Sequence, residues 1–341
     1  DRNDNTTTLT YNGKDLIGIT DPNGRITTIT ATGGKISAIT DAVGRMYNMS
    51  YTDGLLTSIS GPLGYSWNYT YDVNGLIQSK TDPLGNTISY EYYTNGWIKK
   101  SISPDGTRNM DYTPSETAVI TEKDGSPWIY QYDQTFSVLK QKTDPLGNTT
   151  RYSFDQKRNL TSVTETDGST KDYTYDTTGN VTSITLKDPQ GAVVSYTSYQ
   201  YNSLNLVRST TDPRGGVTSY NYDAKGNLTN ISTMMGTMTF QYDTKGNVTA
   251  MSDLNNRTTV FTYDAQGNLT SIADPLGKVT SFTYDAAGNR LTITEPLGQI
   301  TRFAYNALDQ MTQITDSRGN VTVFTYDYRG NILSKTDANG R

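Results

Sequence analysis

One stretch of the sequence decides the fold: Phe261-Thr262-Tyr263-Asp264-Ala265-Gln266-Gly267-Asn268-Leu269-Thr270-Ser271-Ile272-Ala273-Asp274-Pro275-Leu276-Gly277. Close variants of it recur along most of the chain, at intervals of 20 to 22 residues and one of 26. The second aromatic residue of each copy lies at Tyr71, Tyr92, Tyr112, Tyr132, Phe154, Tyr175, Tyr201, Tyr222, Tyr242, Tyr263, Tyr284, Tyr305 and Tyr326. Weaker copies extend back through Tyr51 and Tyr11, for roughly 16 units in all. So regular a period indicates a repeat architecture.

The sequence pattern of each unit predicts two short strands and two turns. The first strand alternates as in 280–284, which places Phe282 and Tyr284 on one face and hydroxyl groups on the other. It runs into an Asp-x-x-Gly-Asn turn such as 285–289, where Asp bonds its own backbone and Gly supplies a positive φ. The second strand leads to a turn of the Asp-Pro-Leu-Gly type, as at 82–85, in which Pro presets φ at the first corner.

The second strand does not alternate strictly. In 227–231 the apolar residues Leu228 and Ile231 lie three positions apart, whereas side chains on one face of a regular strand lie two apart. This spacing predicts a β-bulge, or one apolar side chain tucked under the turn.

The whole chain is therefore predicted to be all-β, an antiparallel hairpin strip of roughly 32 strands. Strand twist is expected to coil so long a sheet into a spiral, tube or partial shell. We expect a single repeat domain over 1–341, with degenerate repeats in 1–60 and clear repeats in 61–341, as a segment of a larger protein. The residues expected to define the repeat are the strand-end tyrosines and turn glycines Tyr71, Tyr175, Tyr222, Tyr242, Tyr263, Tyr284, Tyr326, Gly75, Gly179, Gly226, Gly246, Gly267, Gly288 and Gly330.

The composition excludes several kinds of chemistry. The 341 residues include 57 Thr, 30 Gly and 26 Tyr but no His and no Cys, which removes imidazole catalysis, cysteine nucleophiles, zinc fingers and disulfides. No stretch has the full spacing of a calcium loop, so no metal, cofactor or catalytic residue is predicted. The net charge of −5 argues against nucleic acid as a partner, and apolar runs are too short for a membrane span.

These residues resemble the YD-repeat, or RHS-repeat, family, named for an aromatic-x-Tyr-Asp-x-x-Gly-Asn core. That core stands at 173–180, 220–227 and 324–331, and the resemblance covers nearly the whole chain. It implies a large exported protein whose repeats form a hollow β-sheet shell. In bacterial polymorphic toxins and toxin complexes of this family the shell encloses a toxic domain, and in teneurins a similar shell serves cell adhesion.

Two departures from the family pattern bear on the interpretation. Thr113-Pro114-Ser115-Glu116 replaces the turn after Tyr112, and Phe136 stands where Gly is expected after Tyr132, which predicts a distorted edge there. Toxin members of the family contain a self-cleaving segment with an Asp-Pro-x-Gly sequence. Here the Asp-Pro-Leu-Gly stretches at 82–85, 144–147 and 274–277 have the spacing of ordinary repeat turns and are interpreted as such.

The leading hypothesis is a non-enzymatic structural scaffold of a secreted or cell-surface bacterial protein, with an effector or toxin domain of the same parent protein as partner. An alternative is an extracellular fibre or tube in which copies of the chain add end to end through unpaired strand edges. A further alternative is an adhesin that binds glycans or a partner protein. For sugar stacking the best candidates are Trp67, Trp97 and Trp128, because they are not at consensus positions.

Overall fold

Antiparallel β-strands form nearly all of the regular structure. The computed structural model describes residues 1–112, 116–135, 137–327 and 330–341, and within them it contains 32 strands, one 3₁₀ turn at Pro62–Gly64 and no α-helix. In this part of the chain no helix is long and apolar enough to cross a membrane. The predicted distorted turns at Thr113, Pro114, Ser115 and Phe136 lie outside the described residues.

The strands follow one another at short intervals. They are β1 Thr8–Asn12, β2 Asp15–Thr20, β3 Ile26–Thr32, β4 Lys35–Thr40, β5 Met46–Thr52, β6 Leu55–Ser60, β7 Ser66–Tyr71, β8 Ile77–Thr81, β9 Thr87–Tyr92, β10 Ile98–Ser103, β11 Gly106–Asp111, β12 Thr117–Thr121, β13 Pro127–Asp133, β14 Val138–Thr143, β15 Thr149–Phe154, β16 Leu160–Thr164, β17 Thr170–Tyr175, β18 Val181–Lys187, β19 Val193–Tyr201, β20 Val207–Thr211, β21 Val217–Tyr222, β22 Leu228–Thr233, β23 Gly236–Tyr242, β24 Val248–Ser252, β25 Thr258–Tyr263, β26 Leu269–Ala273, β27 Val279–Tyr284, β28 Arg290–Thr294, β29 Ile300–Tyr305, β30 Met311–Thr315, β31 Val321–Tyr326 and β32 Ile332–Thr336.

All 32 strands belong to one sheet, in which strands adjacent in sequence pair antiparallel. The antiparallel pairs include every successive pair from β1 to β7, from β9 to β22 and from β23 to β32. Short turns allow this meander, because antiparallel neighbours need only a few connecting residues. The predicted all-β hairpin strip is confirmed.

A β-bulge sits at the start of the second strand of the regular repeats. In the β21–β22 pair, Tyr222 lies opposite Leu228 and Asn221 lies opposite Asn230, so Thr229 is the extra residue. The bulge moves Leu228 onto the face of Ile231, opposite Tyr222 and Tyr220. The same shift recurs in β25–β26 and β27–β28. The bulge inferred from the three-residue spacing is therefore confirmed.

The sheet has no thick hydrophobic core. Among the described residues, Ile29, Ala118 and Phe324 are the buried apolar side chains, and no large side chain is completely buried. The main contacts between strands all join strands that are adjacent in sequence. Stability is therefore expected to be close to a sum of local terms, as in other repeat proteins.

The contacts within the chain divide it into two compact units. Unit 1 comprises Asp1–Thr70, Thr81–Gly85 and Met238–Arg341, and unit 2 comprises Tyr71–Lys80 and Asn86–Thr237. Within unit 1, Arg45 forms ion pairs with Asp41 and with Asp309, 264 positions further along the chain. Asp309 also accepts a hydrogen bond of 2.8 Å from Asn289, so this cluster joins two distant stretches of sequence.

Candidate functional site

The Tyr-Asp turn is held by a repeated set of hydrogen bonds. Asp223 Oδ1 accepts the backbone N–H groups of Lys225 (2.9 Å) and Asn227 (2.8 Å), and Asp223 Oδ2 accepts the Asn227 side-chain amide (2.9 Å). The main chain closes the turn with bonds from Asp223 N to Asn227 O and from Gly226 N to Asp223 O. Asp, Gly and Asn each contribute to this turn geometry, which explains why the three recur together.

In many repeats the strand-end tyrosine connects the repeat to the one before it. The Tyr222 hydroxyl donates a hydrogen bond of 2.7 Å to the carbonyl oxygen of Val207, 15 residues earlier. The same 15-residue bond is made by Tyr51, Tyr92, Tyr175, Tyr263, Tyr284, Tyr305 and Tyr326. Burial raises the pKa of the Tyr222 phenol, which stays neutral and able to donate at physiological pH.

Turn aspartates such as Asp176 and Asp223 have pKa values below their usual range. The side-chain amide of Asn180 and the hydroxyl of Thr178 lower the pKa of Asp176 to about 2. At Asp223 the side-chain amide of Asn227 is again the largest cause of the lowered pKa. A carboxylate stabilised in its charged form and occupied on both oxygens is a turn cap rather than a general acid.

The predicted repeat residues occupy equivalent places. The seven glycines predicted to define the repeat all have positive φ, namely Gly75, Gly179, Gly226, Gly246, Gly267, Gly288 and Gly330. The seven tyrosines end the strand before the turn, at Tyr71, Tyr175, Tyr222, Tyr242, Tyr263, Tyr284 and Tyr326. Sequence reasoning missed the bond of the tyrosine hydroxyl. A carbonyl 15 residues away becomes a neighbour only once the strand register is known.

The second turn of the repeat is built like the first. In 144–147, Asp144 Oδ1 accepts the N–H of Leu146 (2.9 Å), and Gly147 N donates to Asp144 O (3.0 Å). This matches the interpretation of the Asp-Pro-Leu-Gly stretches as repeat turns. The acidic side chains do not gather elsewhere: within the described ranges no three Asp or Glu residues form a group that could hold a metal ion.

One repeat keeps the turn but replaces its polar side chains with aromatic rings. In 93–97, Tyr93 stands in place of the turn Asp and Trp97 in place of the turn Asn. The backbone is unchanged, with bonds from Tyr93 N to Trp97 O (2.8 Å) and from Gly96 N to Tyr93 O (2.9 Å). Tyr112 packs against both rings edge to face, with centroids 5.1 Å from Trp97 and 6.2 Å from Tyr93.

Trp97 and Tyr112 border an open cleft of about 670 Å³ in unit 2. We define the aromatic cleft by six of its lining residues: Trp97, Tyr112, Tyr132, Glu116, Asp133 and Gln134. The Tyr132 N–H donates to the Glu116 carbonyl oxygen (2.8 Å), which ties two walls together.

The three tryptophans proposed for sugar stacking have different surroundings. Trp97 is 55 % exposed and lines the aromatic cleft. Trp128 is half-buried, stacks on Tyr130 at 6.5 Å and has the Lys142 ammonium 4.7 Å from its ring centre. Trp67 is half-buried in β7, opposite Ile59. Of the three, Trp97 has the most accessible ring.

Comparison with known proteins agrees with this architecture. The RHS repeat family model matches residues 51–87, 71–108, 139–170, 158–193, 175–217, 201–234, 222–259, 263–300, 284–321 and 305–341. The chain therefore belongs to the RHS repeat family, as the resemblance implied. No curated protein sequence matches the chain.

Solved structures share the fold at low sequence identity. The crystal structure of TcdB2-TccC3-TEV has a TM-score of 0.55 and 15 % identity, over 95 % of this chain and 20 % of that one. The crystal structure of TcdB2-TccC3 has a TM-score of 0.51 and 13 % identity, over 98 % of this chain and 25 % of that one. The chain thus spans a fifth to a quarter of these proteins, and the likeness concerns the fold alone.

Proposed function

We propose that the chain is a non-catalytic β-repeat scaffold of a larger secreted or cell-surface bacterial protein, which encloses or displays an effector domain carried elsewhere in the same protein. The observation that carries this proposal is the use of the polar side chains. In repeat after repeat, both oxygens of the turn Asp and the hydroxyl of the strand-end Tyr hold the sheet together. Polar groups engaged in these structural hydrogen bonds are not available as catalytic groups.

The comparisons support the same role. Family membership holds across most of the chain, and the chain covers only part of the similar TcdB2-TccC3 structures. A repeat sheet of this kind has a use when it surrounds or presents something else. The resemblance to toxin shells suggests an effector as that partner.

Protease protection in the intact parent protein tests the enclosing role. We expect at least one non-repeat segment to resist a protease while the repeats are folded, and to be cut once acid or denaturant opens them. Cleavage of every non-repeat segment in the folded protein would contradict enclosure. Cell fractionation with an antibody against residues 61–341 tests the location, and we expect the signal in the medium or on the cell surface.

The non-catalytic assignment has its own test. The purified chain is assayed against a panel of ester, glycoside, peptide and phosphoester substrates. We expect no turnover above that of the heat-denatured chain. A hydrolase activity abolished by one carboxylate substitution would overturn the scaffold proposal.

The end-to-end fibre stays an alternative prediction. The molecular mass of the protein in solution distinguishes it from the scaffold. Size-exclusion chromatography with light scattering should give a 37.6 kDa monomer for a scaffold segment. Polymers of uniform width in electron micrographs of the same fractions would favour the fibre.

A further inference from the structure

We propose that the aromatic cleft binds a quaternary ammonium group, the cationic head carried by choline. This proposal is independent of the scaffold role, because the cleft lies where the repeat departs from its consensus. The observation behind it is the joint presence of exposed aromatic rings and carboxylates in one concavity, with no basic residue among its described lining residues.

The rings are placed as walls that meet at a corner. The planes of Trp97 and Tyr112 are inclined at 78°, and Tyr132, 40 % exposed, lines the same cavity. A quaternary ammonium group is roughly spherical and spreads its positive charge over its methyl groups, so it contacts aromatic faces from several directions at once. A sugar instead presents one flat face and suits a level platform of rings. The perpendicular arrangement therefore favours the cation over the glycan expected for Trp97.

The charge of the cleft agrees with its shape. Glu116 and Asp133 contribute carboxylates, and none of the described lining residues is basic. Two carboxylates attract a cation and disfavour acidic sugars or phosphate alone.

One neighbouring ring already accepts a cation within the protein. Tyr93, which packs on Tyr112, has the Lys99 ammonium 5.9 Å from its ring centre. Trp97 has a larger aromatic face than Tyr93 and is 55 % exposed. Trp is the strongest cation–π acceptor among the side chains, so Trp97 is the expected principal contact.

The ligand class is tested with choline and its neutral carbon analogue, in which a quaternary carbon replaces the nitrogen. Binding is followed by NMR through the three indole N–H signals, those of Trp67, Trp97 and Trp128. We expect choline to shift the Trp97 signal only, and the carbon analogue to bind at least about tenfold more weakly because it lacks the charge. Equal binding of the two compounds, or choline shifts at Trp67 or Trp128 alone, would overturn the proposal.

Two variants separate recognition from folding. Trp97→Ala should weaken choline binding about tenfold or more, whereas Trp128→Ala should leave it unchanged. Glu116→Gln keeps the shape of the side chain and removes one charge, so it should weaken binding several-fold and reduce its dependence on salt. Circular dichroism shows whether each variant is folded. A folded Trp97→Ala protein that binds choline as well as the wild type contradicts the proposal.

The remaining experiments identify the source of the ammonium group and exclude the glycan. Sedimentation with phosphatidylcholine vesicles, competed by free choline, would indicate a lipid headgroup. Choline binding without vesicle binding would indicate a free small molecule. A neutral disaccharide that shifts the Trp97 signal when choline does not would overturn the cation assignment in favour of sugar.

Discussion

At the scale of single residues, the strand-end tyrosine contributes through its hydroxyl as well as its ring. Tyr222→Phe keeps the ring and leaves the Val207 carbonyl without its side-chain donor. We expect a loss of about 1 kcal/mol in unfolding free energy, the net value of one such hydrogen bond. Tyr220→Phe is the matched control, because no described residue accepts a bond from the Tyr220 hydroxyl. Equal denaturation midpoints for the two variants would contradict the role given to the Tyr222 hydroxyl.

The turn glycine is needed for its backbone conformation rather than for space. Gly267 has φ +81°, and a Cβ built there meets no atom within 4 Å. Gly267→Ala should therefore cost about 1–2 kcal/mol through the left-handed backbone alone, and Gly267→Val more. Gly267→Asn should cost least, since Asn205 and Asp309 occupy the same turn position with φ of 58° and 60°. Thermal unfolding of the three variants checks this order, which a purely steric explanation does not produce.

At the scale of the hairpin, the turn Asp acts as a cap for several backbone groups. Asp264 accepts the N–H groups of Gln266 (3.0 Å) and Asn268 (2.8 Å) as well as the Asn268 side-chain amide. Asp264→Ala should speed hydrogen exchange at these turn amides and in β25 and β26. Asn268→Ala removes only the last of the three bonds and should have a smaller effect. Because contacts are local, exchange in β16 and β17 should stay unchanged. Acceleration there would contradict the local description of stability.

Much of the hairpin could be predicted from its sequence, since the information is local. The Leu228 and Ile231 spacing predicted either a bulge or an apolar side chain tucked under the turn, and the structure shows the bulge. The Asp-x-x-Gly-Asn order predicted the turn. The bond of Tyr222 to Val207 could not be predicted, because it joins residues that become neighbours only through strand register. The aromatic cleft could not be predicted from the sequence either. In the sequence, Tyr93 and Trp97 differ from the consensus Asp and Asn of the turn. This difference alone does not indicate where the exposed rings point.

At the scale of the whole molecule, the same hydrogen bonds to a turn Asp recur in many repeats, and their effects on stability add. The side-chain amide of an Asn is the largest cause of a lowered pKa at five turn aspartates, namely Asp144, Asp155, Asp176, Asp223 and Asp316. No single exposed turn contributes much, because solvent screens its charge. Their number nevertheless makes the stability of the sheet depend on pH.

The direction of this dependence follows from linkage between protonation and folding. A carboxyl group whose pKa is lower in the folded state stabilises the fold fully above its unfolded pKa, which is 3.8 for Asp, and loses that contribution as the pH falls through the folded value. For Asp176 the folded value is about 2, so the loss falls between about pH 4 and pH 2. We expect the denaturation midpoint to be steady from neutral pH down to about pH 5 and to fall steeply below pH 4.

The turn bonds themselves can be separated from general acid denaturation. Replacing Asn180 by Ala removes the largest cause of the low pKa of Asp176. The carboxyl resonance of Asp176, followed by NMR, should then titrate closer to its ordinary value, and the variant should lose less stability on acidification than the wild type. Parallel acid profiles for the two proteins would place the pH dependence outside the turns. A smaller slope in the variant would attribute it to the bonds that recur from one hairpin to the next.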